Sequence, residues 1–155
     1  MTDRSSNKVD LGTQQLDEDI GLFLEGQFVS DLTLAGAAAE ALGKALSDRG
    51  EQNYLDWKYE TLEFSHPILN GTPLSKEDFI RGENRAFIAV TSASESPVTL
   101  DLEDAAHSMI VRACFNSDRL GLPRTAKMRK FQDWFDEHVV GQGQFYDDVV
   151  GVELP

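Results

Sequence analysis

Apolar residues recur at helical spacing along most of this chain, and no stretch makes a convincing strand. Leu11, Leu16, Ile20, Phe23 and Leu24 share a face from which Gln14, Asp17, Glu18 and Glu25 turn away, which predicts a helix over 9–25 that stops at Gly26. The stretch Ser30–Gly50 is different in kind, because between Asp31 and Ser47 only Glu40 and Lys44 carry charge. Leu32, Ala35, Gly36, Ala38, Ala39, Leu42, Gly43 and Leu46 make an apolar face wider than an ordinary amphipathic stripe, so this helix belongs at the centre of the fold. Ser30 or Asp31 is expected to cap it, with Glu40 and Lys44 pairing one turn apart on the strip that meets water. Glycine costs a helix interior about 1 kcal/mol relative to alanine. Gly36 and Gly43, beside Ala35 and Ala39, therefore indicate a neighbouring helix that approaches closely.

The aromatic segment 51–64 predicts a third helix, ended by His66-Pro67 and followed by turn chemistry at Asn70-Gly71 and Pro73. Ser75 and Asp78 resemble a capping box for a helix over 76–92 carrying Phe79, Ile80, Phe87, Ile88 and Val90. A further helix, 102–119, opens on clustered acids and turns Leu102, Ala106, Met109, Ile110, Ala113 and Cys114 inward. Gly121 and Pro123 close it, and Thr125 caps a last helix through Val140 with Met128, Phe131, Trp134, Phe135 and Val139 on its apolar face. The pattern predicts an all-α, single-domain antiparallel helical bundle of about five to six helices joined by short links. The bundle occupies 9–140, between a flexible N-terminus (1–8) and a C-terminal tail (141–155).

Composition narrows the function classes. A chain of 155 residues is long enough for one real core. No apolar run approaches the roughly 20 residues of a membrane span, and the N-terminus lacks the pattern of a secretory signal, so a cytoplasmic protein with no membrane association is expected. The single Cys114 reads as a buried structural thiol. The net charge of −13 repels phosphate backbones and makes nucleic acid an unfavoured partner. Arg119, Arg124, Lys127, Arg129 and Lys130 nevertheless form a local basic patch that would suit RNA or an acidic partner.

Candidate chemistry is sparse. Asp104 and His107 share a helix face and Glu103 is close by, but a di-metal bundle needs a second such helix, and His138 beside Asp136 and Glu137 does not make one. No metal and no cofactor is expected. Neither a nucleophile elbow nor a phosphate loop is present. The segments LFLEGQFVSDLTLAGAAAEALGKAL and MRKFQDWF, with the order of helices over Leu16 to Val139, resemble a group of small bacterial helical proteins and, more distantly, the HEPN (higher eukaryotes and prokaryotes nucleotide-binding) bundle. The resemblance implies a bundle and a dimer. HEPN ribonucleases carry an Arg followed four to six residues later by His, often with Asn beside the Arg. Asn84 and Arg85 match, but no histidine follows in that helix, so the resemblance does not extend to phosphodiester cleavage.

These observations lead to a non-catalytic, cytoplasmic helical bundle with a binding or regulatory role. It is expected to be a homodimer, because the girdle of the central helix exceeds what six helices cover, and a further protein partner is compatible with it. The alternative is a small-molecule-binding or enzymatic bundle with a pocket around Glu40 and Arg85, lined also by Tyr54, Trp57 and Asn84. That alternative requires Glu40 to face a cavity.

Overall fold

A computed structural model describes residues 8–91 and 101–141. Seven α-helices follow one another: α1 (Lys8–Leu24), α2 (Phe28–Asp48), α3 (Tyr54–Asn70), α4 (Lys76–Glu83), α5 (Arg85–Thr91), α6 (Leu102–Arg119) and α7 (Ala126–Phe135). A π turn, Asp136–Val140, extends α7, and no strand occurs among the described residues. The protein is all-α. No helix among those residues is long and apolar enough to cross a membrane. The segments 1–7 and 142–155, read above as a flexible start and a tail, lie outside the described residues.

Local chemistry explains most boundaries. Asn53, Ser75, Asp101 and Thr125 each accept a backbone N–H three residues on, capping α3, α4, α6 and α7. Three expectations need correction. First, α2 begins at Phe28, and neither Ser30 nor Asp31 caps it; Asp31 is one turn in, with its side chain fully buried. Second, α3 runs through Pro67 to Asn70 and ends at Gly71, whose left-handed φ of 73° suits glycine. The proline deprives only one exposed carbonyl, that of Glu63, of its helical donor, and water can replace it. Third, the helix read over 76–92 breaks at Asn84, dividing it into α4 and α5. The Asn84 side chain is taken up by Arg112 of α6, at 2.7 Å from Nη1 to Oδ1.

The chain forms two compact units, Met1–Pro123 and Arg124–Pro155, within what periodicity reads as one domain. In the first, α2 is the centre, packed along α1 on one side and α6 on another, with α5 also against it. Leu16 and Ile20 of α1, Leu32, Leu42 and Leu46 of α2 and Ile110 of α6 are fully buried, each such side chain contributing about 1.5–3 kcal/mol of transfer free energy. Leu42 sits against Gly12, where an added Cβ would lie 3.1 Å from its Cγ. Ala35, Gly36, Ala38, Ala39 and Gly43 are buried as well. The broad face that suggests a second copy is thus largely covered within the chain.

Between α1 and α2 two carboxyl groups, Asp19 and Asp31, are completely buried beside each other, and no other group among the described residues donates a hydrogen bond to them. Burial first, then the charge of Asp31, pushes Asp19 up to about 10; burial also pushes Asp31 up to about 8, against a hydrogen bond from Asp19 that pulls it down. The pair therefore retains a proton at neutral pH, with the Asp19 carboxyl donating to Asp31.

In the second unit, α7 stacks Phe131 on Trp134 at 6.0 Å between ring centroids, and Trp134 on His138 at 5.0 Å. The Gly141 N–H reaches the Asp136 carbonyl at 2.8 Å, the i to i+5 bond of the closing π turn.

Candidate functional site

The small residues of α2 leave room beside it. Gly36, Ala39 and Gly43 form the wall of a cleft of about 500 Å³, also lined by Asn84, Phe87 and Ile88 around α5 and by Met109, Arg112 and Asn116 of α6. Absence of a side chain is what admits these neighbours. A Cβ on Gly36 would fall 2.2 Å from the Phe87 ring, and one on Gly43 3.1 Å from the Asn116 amide nitrogen. The close approach anticipated at these glycines is real, and it is made by a ring of α5 and an amide of α6.

Asn116 joins the walls. Its Nδ2 donates to the Ala39 carbonyl at 3.1 Å, and its Oδ1 accepts the Tyr54 backbone N–H at 2.8 Å, tying α6 to both α2 and the start of α3. Arg112 lies one turn earlier on α6 and is only 8% exposed. Its Nη1 donates to Asn84, and no carboxylate approaches it within 4.0 Å among the described residues. Burial lowers its pKa, while Glu83, Tyr54 and Glu40 act through space in the opposite direction; an arginine remains charged under those conditions. Glu83 itself is committed to Lys58, 2.7 Å away. Burial pulls Lys58 down, but the hydrogen bond it donates to Glu83 and the neighbouring Tyr54 together raise it above its ordinary value. Burial raises the Tyr54 hydroxyl.

Of the residues singled out in the sequence, Glu40 and Asn84 line the cleft. Glu40 is on the exposed rim, and it does not pair with Lys44, which turns instead to Asp48 at 3.0 Å, one turn further along α2. Tyr54 and Trp57 are outside the lining: their rings pack on Phe115 of α6, at 5.3 and 5.1 Å. Arg85 is exposed and outside it too. Arg112 and Asn116 are the residues sequence reasoning passed over. Their signal was available, since Met109, Arg112, Ala113 and Asn116 follow the i, i+3, i+4, i+7 phase of the buried face, where polar side chains need a reason.

Elsewhere, His107 meets Asp104 at 3.0 Å, and no group of three or more metal-binding side chains occurs among the described residues. The cleft's hydroxyl, Ser47 Oγ, donates to the Gly43 carbonyl and accepts from Asn53, both at 3.2 Å, and no histidine is in the lining to act as its base. Comparison with family models, with curated proteins and with solved structures found no match to this chain.

Proposed function

We propose that this protein is a non-catalytic binding protein of the cytoplasm, an antiparallel helical bundle that takes a small polar molecule into the cleft between α2, α5 and α6. The observation that carries this reading is Arg112. A buried guanidinium is ordinarily paired, because its desolvation is costly; here it has one neutral hydrogen bond and faces an open cleft. The supporting polar groups are already fixed by their own partners, so the site is preformed. Ligand-observed NMR of pooled polar metabolites tests it: binding should be seen with the wild type and be lost in Ile88→Trp, which fills the cleft from a partly exposed position. Signals that persist unchanged in Ile88→Trp, or no signal with the wild type, would overturn the reading.

A second reading, a homodimer or a complex with a protein partner, draws on α3. Phe64, Ile68 and Leu69 are 81%, 72% and 79% exposed on its last turns, an apolar surface of the kind interfaces cover. Sedimentation velocity over micromolar concentrations, with Ile68→Glu as control, distinguishes this from a monomer. The HEPN-like pattern supports a bundle of this type and a dimer, and Asn84, engaged by Arg112, supports a structural role for the Asn84-Arg85 pair. The charge of −13 leaves RNA as the least favoured partner.

A further inference from the structure

Resting on that reading, we infer that the molecule the cleft takes is a zwitterion with an apolar body, its carboxylate on Arg112 and its ammonium on Glu40. Arg112 and Glu40 line the same cleft without closing on each other, and Lys44, which also lines it, is held by Asp48. Arg112 on α6 uses a single N–H on Asn84, which leaves the rest of its guanidinium fork available for a planar, bidentate carboxylate. Glu40 on α2 has no cation within 4.0 Å among the described residues, since Lys44 is occupied by Asp48. Glu40 and Arg112 line the same cleft of about 500 Å³, which brings both within the one space a ligand would occupy.

Charge balance decides between ligand classes. A purely anionic ligand would satisfy Arg112 but meet Glu40 at the rim and Glu83 behind, on a chain of net charge −13. A simple cation would satisfy Glu40 and leave the guanidinium as it is. A zwitterion satisfies both groups and adds no net charge. The lining includes the apolar side chains of Phe87, Ile88 and Met109, and the amides of Asn53, Asn84 and Asn116 in the same lining already hold partners within the protein, which favours a hydrocarbon or aromatic body over a sugar or a nucleotide.

The test uses the full chain with leucine, methionine and phenylalanine as zwitterionic probes. Each is compared by calorimetry with its matched 2-hydroxy acid, which keeps the carboxylate and loses the ammonium, and with its matched amine, which does the reverse. At least one amino acid should bind, with both its analogues at least ten-fold weaker. Glu40→Gln, at an exposed position that leaves the core intact, should weaken that amino acid without weakening its hydroxy acid, so that the two bind alike. If a hydroxy acid binds as well as its amino acid, or Glu40→Gln has no effect, the zwitterion assignment fails and the cleft remains a binding site for carboxylates. If none of these probes binds while other metabolites are displaced by Ile88→Trp, the assignment fails alone. If nothing binds the cleft at all, the underlying reading fails with it.

Discussion

The two sides of α2 bury polar groups by opposite rules. Toward α1, large aliphatic side chains close the interface completely, and the polar intrusion, Asp19 with Asp31, has no donor other than its own retained proton. Toward α5 and α6, small residues leave a cleft beside the close contacts of Phe87 and Asn116, and the polar side chains are tied to named partners: Asn116 to Ala39 and Tyr54, Arg112 to Asn84. The closed side can lower its electrostatic cost only by staying protonated. The open side can do so by hydrogen bonding and by admitting a ligand. On the proposed reading, stability is concentrated on the α1 side and recognition on the α6 side, and substitutions on each should separate the two.

The largest effect is expected at Leu42, fully buried and seated on Gly12. Leu42→Ala removes transfer energy and leaves a cavity, a loss of about 2–5 kcal/mol. Urea denaturation followed by circular dichroism would measure it. A loss well below that range would mean that the closed side is looser than its burial implies.

The acid pair gives the next effect and makes stability depend on pH. Both carboxyls have folded-state pKa values raised above those of the unfolded chain, where an aspartate titrates near 3.9. The unfolded chain therefore releases these protons first as pH rises, and the folded chain holds more protons over the interval that follows. Stability from the pair is fully present at low pH. It is lost as pH climbs from about 4 through the raised folded-state values. Asp19→Asn keeps the shape and removes the proton release, so it should gain on the order of 1–3 kcal/mol at pH 8 and flatten the dependence of the urea midpoint between pH 5 and 8.5. A steeper dependence in the variant would sink this account.

How much of this was legible in the sequence follows from what periodicity measures. The span of α6 and the caps at Ser75 and Thr125 were readable because they depend on local spacing and on one side-chain oxygen. The centrality of α2 was readable because an apolar face that broad has no other place. Pro67 was misread because the rule against proline in a helix assumes that the lost hydrogen bond matters, and on an exposed last turn it matters little. The break at Asn84 is not readable from local spacing, and Arg112, which takes up the Asn84 side chain, is far along the chain. The cleft is half legible: Glu40 stands out as a charge in an apolar run, whereas Arg112 is marked only by its place on the buried phase of α6. Asp31 was taken for a cap because its burial against Asp19 is a tertiary fact.

The smallest effect, and the finest test of the comparison, lies in the glycines of the open side. Alanine in place of either would gain about 1 kcal/mol of helix propensity, so any loss must come from the neighbour that the new methyl meets. At Gly36 that neighbour is the Phe87 ring, overlapped to 2.2 Å and as near as 2.8 Å at Cγ close to the α5 backbone, so the ring cannot simply swing aside. Overpacking of this kind costs about 1–3 kcal/mol, which leaves Gly36→Ala destabilised by roughly 1 kcal/mol net. At Gly43 the neighbour is the Asn116 amide nitrogen at 3.1 Å, which needs to shift by only a few tenths of an ångström. Gly43→Ala should therefore be neutral within about 0.5 kcal/mol in the same urea titration, because propensity and crowding offset each other. Its cleft should nonetheless bind ligand differently, since the displaced amide is the one that ties α6 to Ala39. If the two alanine variants lose equal stability, the small residues serve helix packing in general and the cleft is incidental to them; if only Gly36→Ala loses stability while Gly43→Ala alters binding, the open side is built for a ligand.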